Sequence, residues 1–296
     1  DSGFSKTSNL TSSITFAARN SILQATGANV SSTSGVLKVS FQSDSSTAGL
    51  TLGAINIAGP ITAQGGNLFV TGALTTAGSS AVTLTGTQSI DLQSSGSIVS
   101  SAGNVSLSAP LLFVQSGAGS AVQAGGNISV TTSEQGNLSN NHLRFANRSF
   151  DATDITILTT GGFNFLLGLK FGDTAGLDIA DIRNLNATGT LTLGCEVDFS
   201  SSVPNGLSIC GFNCRMTVVS GFNLVASDLA GNLKLTHRVI DSQSGSSFTL
   251  GTGQSLTLAN FGSQGATSLF DSTISGTGSL VKSGAAALTL TSASGT

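Results

Sequence analysis

The chain has 296 residues, 38 of them glycine, no tryptophan or tyrosine, and a net charge of −3 at pH 7. A nucleic-acid partner is not expected, because nucleic-acid binding requires a surface of clustered positive charge. Only 8% of the residues are charged, whereas disordered chains combine high charge with low hydropathy. No apolar run approaches the roughly 18 residues of a membrane-spanning helix. The composition therefore predicts a folded protein without such a helix.

Residues 4–133 form a series of short segments in which apolar and small polar residues alternate. Serine, threonine, glycine and β-branched residues dominate, while strong helix formers such as glutamate and lysine are scarce, which favours strands. Each segment is bounded by glycine, serine, asparagine or glutamine. The predicted strands are residues 14–16, 36–41, 50–57, 68–70, 82–84, 90–92, 105–107, 111–114 and 128–130.

A glycine–asparagine pair followed by alternating apolar residues recurs along the chain. It is found at 66–67, 103–104, 126–127 and 231–232, and Asn104 and Asn127 are 23 residues apart. A period near 20 residues, in chains rich in strands, is typical of a solenoid whose coils stack on one another. The sequence therefore predicts an all-β, right-handed parallel β-helix of about 20–23 residues per coil, giving roughly 14 coils and a rod about 65 Å long.

The stacking predicts where each residue type lies. Leucine, isoleucine and valine are expected to point inward and form aliphatic ladders, while serine and threonine form hydroxyl rows outside. Glycine and asparagine are expected at corners with left-handed backbone conformation. Asparagines at equivalent corners are expected to form a ladder of hydrogen-bonded amides.

Residues 134–241 differ from the flanking regions because they contain 17 of the 25 Asp, Glu, Lys and Arg residues. This window is interpreted as solenoid coils with longer loops, a loop-rich excursion rather than a separate domain. Strands are predicted at residues 154–159, 190–193, 207–210 and 216–219, and a helical turn or two within residues 175–186. The predicted organisation is one continuous domain: regular coils at 1–133, coils with long loops at 134–241, and regular coils at 242–296, with strands at 247–250, 255–258 and 268–270.

The charged window supplies the best candidate surface for recognition. Asp178 and Asp181 are three residues apart, so one helical turn would place them side by side. The solvated polar loop is the competing interpretation of the same residues. The weak candidate recognition loop comprises Arg144, Arg148, Asp173, Asp178, Asp181 and Arg183. No catalytic, cofactor-binding or metal-binding residue is predicted.

Cys195, Cys210 and Cys214 are the three cysteines of the chain. In an oxidising compartment Cys210 and Cys214 are close enough in sequence to form a disulfide across a short loop; buried free thiols are the alternative. A zinc site is not expected, because neither His142 nor His237 has the ligand spacing that a tetrahedral site requires.

Residues 275–291 read S-G-T-G-S-L-V-K-S-G-A-A-A-L-T-L-T. Glycines separate two alternating segments, which predicts two short strands joined by tight turns with one face buried. The spacing of Gly276, Gly278, Leu280, Lys282 and Gly284 resembles the passenger-associated repeat of bacterial autotransporters. The family pattern continues with an asparagine and a tyrosine that this chain lacks. The glycine–asparagine units resemble those of filamentous-haemagglutinin-like exoproteins.

These resemblances imply a non-catalytic structural or adhesive rod, without a cofactor, that is secreted or displayed on a bacterial surface. The implied partners are further copies of the chain stacked end to end or laterally, a glycan or protein of a host or cell surface, and an outer-membrane translocator. The alternative is a β-helical carbohydrate-active enzyme, a polysaccharide lyase or hydrolase that uses clustered carboxylates. A surface-binding solenoid with flat threonine rows is a third possibility, suggested by Thr83-Leu84-Thr85.

Overall fold

The computed structural model describes residues 3–25, 27–132, 143–145, 147–159, 165–167, 176–194, 215–261 and 267–291. Neither the short α-helix nor the 3₁₀ turn of these ranges has the length and apolarity needed to cross a membrane. The chain divides into two compact units, residues 1–131 with 144–155 and residues 132–143 with 156–296. The three-part organisation of the sequence analysis stays a prediction.

Thirty-two strands lie within the described residues. The first seventeen are β1 (Phe4–Lys6), β2 (Ser12–Ala18), β3 (Ile22–Leu23), β4 (Val30–Ser32), β5 (Leu37–Ser43), β6 (Gly49–Leu52), β7 (Ile55–Ile57), β8 (Ile61–Val70), β9 (Ala73–Thr76), β10 (Val82–Leu92), β11 (Ser97–Ser100), β12 (Val105–Ala109), β13 (Leu111–Val114), β14 (Val122–Ala124), β15 (Ile128–Thr132), β16 (Leu143–Phe145) and β17 (Phe150–Ala152).

The remaining strands are β18 (Ile155–Thr159), β19 (Phe165–Leu167), β20 (Gly176–Leu177), β21 (Leu185–Ala187), β22 (Thr190–Gly194), β23 (Met216–Val218), β24 (Asn223–Leu224), β25 (Asn232–His237), β26 (Ile240–Ser242), β27 (Ser247–Leu250), β28 (Ser255–Asn260), β29 (Thr267–Phe270), β30 (Thr273–Gly276), β31 (Ser279–Ser283) and β32 (Ala287–Leu290). The helix α1 spans Ile179–Arg183, and a 3₁₀ turn spans Ala226–Asp228.

The first unit is built from parallel strands in which each turn pairs with the next. One row of strands has the order β1-β4-β7-β9-β11-β14-β17, and a second has the order β2-β5-β8-β10-β12-β15. A third row, β3-β6-β8-β10-β13, joins the second because β8 and β10 are long enough to serve both. Strand β10 merges two predicted strands, with a register shift between Gly86 and Ser89.

The second unit repeats this plan with three rows of parallel strands. Their orders are β22-β25-β28-β31, β20-β19-β23-β26-β29-β32 and β24-β27-β30. Phe222, Phe248 and Phe270 are buried and form an aromatic ladder, with ring centroids 5.6 and 5.7 Å apart between neighbours. The predicted all-β fold is thereby confirmed as a parallel β-solenoid, with about ten turns.

The turns vary in length more than the predicted 20–23 residues. Leu50 pairs with Leu68, a step of 18, whereas Val122 pairs with Phe150, a step of 28. In the second unit Leu191 pairs with Leu233, a step of 42. The expected 14 coils exceed the observed number because these longer steps use more chain per turn.

Aliphatic ladders fill the interior, as the alternation of the strands predicts. Val82 is in register with Ile61 of the preceding turn and Val105 of the following turn, and all three are fully buried. Full burial of one such side chain contributes about 1.5–3 kcal/mol, so the stability of the fold is spread along the ladder. The row one residue further along faces outward and consists of hydroxyl side chains: Thr62, Thr83 and Ser106.

The glycine of each glycine–asparagine pair is required because there is no room for a side chain at that position, not because its backbone is left-handed. A Cβ on Gly103 would lie 2.3 Å from the carbonyl oxygen of Ser80, and one on Gly231 would lie 2.3 Å from that of Gly189. Neither glycine has positive φ, and Asn147 is the only non-glycine residue with positive φ among the described residues. The predicted left-handed corners were therefore wrong at these pairs. The glycine lets the chain approach the backbone of the preceding turn.

The asparagine of the pair links its turn to the next one. The Asn104 side-chain oxygen accepts a hydrogen bond from the backbone N–H of Asn127 at 2.9 Å. The Asn232 oxygen accepts both the backbone N–H and the hydroxyl of Ser255, at 2.9 and 3.0 Å. These bonds replace the predicted amide-to-amide ladder, because the amide oxygens accept from backbone or hydroxyl groups.

Residues 275–291 form the last described turn. Strands β31 and β32 do not pair with each other; they pair in parallel with β28 and β29 of the preceding turn. Gly276 and Gly284 have positive φ, 98° and 82°, and produce the predicted tight turns. The prediction of a buried face was wrong, because Leu280 and Leu290 are 37% and 42% exposed.

Gly103→Ala is expected to destabilise the protein by about 1–3 kcal/mol, because the new methyl group meets rigid backbone rather than a movable side chain. Gly49→Ala is the matched control: its Cβ would lie 3.4 Å from an edge atom of the Phe69 ring, an ordinary contact. The control should change stability by less than about 1 kcal/mol in either direction. Urea unfolding of both variants checks this, and equal stabilities would refute the close-approach explanation.

Candidate functional site

The carboxylates of Asp178 and Asp181 form the N-terminal cap of α1. Asp178 precedes the helix with extended backbone, and its Oδ1 accepts the backbone N–H of Asp181 at 3.0 Å. The Oδ2 of Asp181 in return accepts the backbone N–H of Asp178 at 3.1 Å. This reciprocal capping box satisfies N–H groups that have no partner within the helix. It confirms the predicted helical turn within residues 175–186 and places the two side chains side by side.

Asp181 is nearly buried, with 5% of its surface exposed. Burial raises the pKa of its carboxyl to about 7, because removal from water disfavours the charged form. The hydrogen bond from the Asp178 backbone opposes the rise, and the negative charge of the Asp178 carboxylate adds to it. Asp181 is therefore a buried group that exchanges a proton near neutral pH.

Arg183 and Asp228 connect the end of α1 to the 3₁₀ turn. The Nε of Arg183 donates to Oδ1 of Asp228 at 2.7 Å, while Oδ2 of Asp228 accepts the backbone N–H of Val225 at 2.8 Å. The arginine side chain is 60% exposed and the aspartate 3% exposed. An ion pair with one partner in solvent contributes about 0–1 kcal/mol. The pair links two non-strand segments and leaves more than half of the Arg183 side chain in solvent.

Arg148 belongs to the first unit and is buried, with 2% of its surface exposed. Its Nη1 donates to the carbonyl oxygen of Gln93 at 3.0 Å, its Nη2 to that of Ser120 at 3.1 Å, and its Nε to that of Gly119 at 3.5 Å. Burial lowers the pKa of this guanidinium. These carbonyls lie just before β11 and β14, and Arg148 lies just before β17, so one side chain joins three successive turns at the same corner.

The structure brings together only part of the predicted recognition loop. Asp178, Asp181 and Arg183 lie together in the second unit, whereas Arg148 is an internal anchor of the first unit. Arg144 lies in β16, for which the backbone alone is described. Asp173, the predicted disulfide partners Cys210 and Cys214, Cys195, His142 and the predicted strand 207–210 lie outside the described residues.

The sequence analysis missed two features of the structure: the partner of Arg183 and an outward-facing row of two phenylalanines and an aspartate. Asp228 is 45 residues from Arg183, and no local pattern marks it as the partner. The outward row of Phe69, Asp91 and Phe113 in the first unit did leave a signal, because each lies between two apolar residues of an alternating strand. Within the described residues, no group of three or more His, Cys, Asp or Glu side chains could hold a metal ion.

Comparison with known proteins finds no relative of this chain. No family model matches the chain. No curated protein matches it, and no solved structure does. The resemblance to autotransporter passengers therefore stays a prediction that rests on residues 275–291 and the glycine–asparagine units.

Asp181 is expected to make stability depend on pH between about 4 and 7. Its folded pKa lies above the unfolded value near 3.9, so the folded state holds the proton more tightly, and stability falls as the pH rises through this interval and levels off above it. The expected loss is of the order of 2–4 kcal/mol. Asp181→Asn keeps an oxygen that can accept from Asp178 but does not titrate, so its stability should lack this decline.

Urea unfolding at several pH values between 4 and 8 measures the difference between the two proteins. Asp44→Asn, a change at an exposed aspartate, is the control for the loss of one negative charge, and the decline should be smaller in Asp181→Asn than in this control. Parallel profiles for the parent and Asp181→Asn would show that Asp181 does not titrate in this interval.

Proposed function

We propose that the chain is a non-catalytic structural or adhesive protein that acts outside the cell, displayed on a bacterial surface or secreted as a passenger. One observation supports the non-catalytic part of the proposal: the charged groups of the predicted recognition loop whose side chains are described mostly stabilise the fold. The location rests on the resemblance of residues 275–291 and of the glycine–asparagine units to bacterial exoproteins. Asp178 and Asp181 cap a helix, Arg183 pairs with Asp228, and Arg148 binds backbone carbonyls. Outward hydroxyl rows leave the surface free to vary without disturbing the ladders.

Self-association and an outer-membrane translocator belong to the same proposal. In each unit, the described turns of the solenoid pair in parallel with their neighbours. A second copy stacked end to end could therefore add a turn by the same pairing. The translocator follows from the resemblance of residues 275–291 to the passenger-associated repeat.

Antibodies raised against the purified protein are expected to label intact cells of the producing organism, or to detect the chain in the culture medium. Deletion of its gene is expected to reduce attachment of the cells to surfaces or to one another. Immunofluorescence of intact cells is compared with that of permeabilised cells, and the culture medium is assayed for the chain. Labelling that requires permeabilisation, with no chain in the medium, would rule out the proposed location.

The enzyme alternative is supported by one observation, the pKa of Asp181 near 7, a value suited to a general acid. The burial of Asp181 and its bond to the Asp178 backbone count against contact with a substrate. Incubation with polygalacturonate and alginate, followed by assays of reducing ends and unsaturated products, separates the two functions. Cleavage that falls at least about 100-fold in Asp181→Asn would favour the enzyme; the adhesive proposal predicts no cleavage by either protein.

A further inference from the structure

The geometry points to a binding platform for a neutral oligosaccharide on the outer face of the first unit, formed by Phe69, Asp91 and Phe113. We call this row the Phe–Asp–Phe platform. It deepens the adhesive function proposed above by naming a ligand class and a surface, and it rests on that function only for its biological setting.

The three side chains of the platform are aligned by the register of three parallel strands. Asp91 of β10 is paired with Phe69 of β8 on one side and with Phe113 of β13 on the other. All three point outward, because the residues before and after each of them in its strand are fully buried, as Ile90 and Leu92 are around Asp91. Neighbouring strands are about 4.8 Å apart, so the two aromatic positions are separated by about 9.6 Å along the row.

The platform continues an outward row that begins in earlier turns. Phe69 is paired with Thr51 of β6, which is paired with Leu23 of β3. Leu23 is 74% exposed, and both phenylalanines keep part of their surface in solvent. The Phe69 ring extends over Gly49, where a Cβ would lie 3.4 Å from its Cε2. The row therefore offers apolar surface on both sides of a single carboxylate.

Asp91 is held in a fixed orientation between the two rings. The Nε2 of Gln115 donates to both carboxylate oxygens at 3.0 Å. Burial raises the pKa of Asp91, while the hydrogen bonds from Gln115 and Gln93 oppose the rise. A carboxylate and two amides thus form a cluster of donors and acceptors in a partly desolvated position, where hydrogen bonds to a ligand are stronger than in bulk water.

This combination matches the chemistry of a neutral sugar chain. A pyranose ring has an apolar C–H face that packs on an aromatic ring, and a rim of hydroxyls that donate to carboxylates and exchange hydrogen bonds with amides. Two rings about 9.6 Å apart allow two sugar units of an extended chain to pack while Asp91 binds the hydroxyls between them. Asp91 is the only ionisable residue of the row between Leu23 and Phe113. The adjacent strand β16 contains Arg144, but the platform itself carries one negative charge, which would repel an anionic glycan.

Affinity electrophoresis tests the platform with the full chain. Native gels contain hydroxyethylcellulose, galactomannan, xyloglucan or β-1,3-glucan as neutral polysaccharides, or polygalacturonate as the anionic comparison. The parent protein is expected to be retarded by at least one neutral polysaccharide and not by polygalacturonate. Phe69→Ala, Phe113→Ala and Asp91→Ala should each raise the apparent Kd by about tenfold, as expected for the loss of one stacked ring or one charged hydrogen-bonding group.

Leu269→Ala is the matched control, because Leu269 is an exposed apolar residue of the second unit, 50% exposed, outside the platform. Its apparent Kd should equal that of the parent. Phe113→Leu keeps an apolar side chain and removes only the aromatic ring, so it should fold like the parent and still lose affinity. The urea midpoint of every variant establishes that the loss is not caused by unfolding.

Three results would overturn the platform. They are the absence of retardation by every neutral polysaccharide tested, equal retardation of the parent and the three phenylalanine variants, and retardation by polygalacturonate alone. The proposed function has a separate readout, since antibody labelling of intact cells does not require Phe69 or Phe113. Surface labelling without polysaccharide binding would therefore refute the platform but not the proposed function as an adhesive protein.

Discussion

Parallel pairing between the strands of successive turns is the interaction on which the whole structure depends. A single turn of about 20 residues cannot bury its own inner face, so each turn needs a neighbour at the strand spacing of about 4.8 Å. In-register pairing then places side chains of the same type next to each other in successive turns, as it places Val82 between Ile61 and Val105. A one-residue slip within a strand would move every buried side chain to the outside. Length differences between turns must therefore be absorbed at the corners, which is why steps of 18 and 28 residues coexist in one unit.

The corners consequently hold the specialised residues. Gly103 leaves room for the carbonyl of Ser80, and the side chain of Asn104 carries a hydrogen bond to the next turn. Arg148 performs the same task over a longer range, since its guanidinium binds carbonyls of the two preceding turns. Such a buried cation is costly to desolvate, and hydrogen bonds to three carbonyl oxygens offset part of that cost. The outward-facing residues of the strands do not hold turns together in this way. A row such as Phe69, Asp91 and Phe113 can therefore bind a ligand without disturbing the stack.

The sequence was most informative where structure is local. Period-two alternation marked strands at residues 68–70, 105–107 and 128–130, because a half-buried strand imposes that pattern whatever its partner. The recurrence of glycine–asparagine pairs indicated stacked turns before any pairing was known. The reason for the glycine was not predictable, since the atom it avoids at Gly103 belongs to a residue 23 positions earlier. The burial of Arg148 and the pairing of Arg183 with Asp228 depend on contacts across 28–55 and 45 residues, so sequence reasoning instead read Arg148 and Arg183 as part of an exposed recognition loop.

Distances between labels placed along one outward row test the stacking most directly. Thr15, Ser40, Thr62, Thr83 and Ser106 are paired in succession across β2, β5, β8, β10 and β12. Spin labels attached through an unnatural keto amino acid at 15 and 83, and at 15 and 106, span three and four turns, about 14 and 19 Å between backbones. Double electron–electron resonance should give distances between the labels that increase by about 4.8 Å for each added turn. A distance for 15 and 106 equal to or shorter than that for 15 and 83 would contradict a parallel stack and favour strands that fold back on one another.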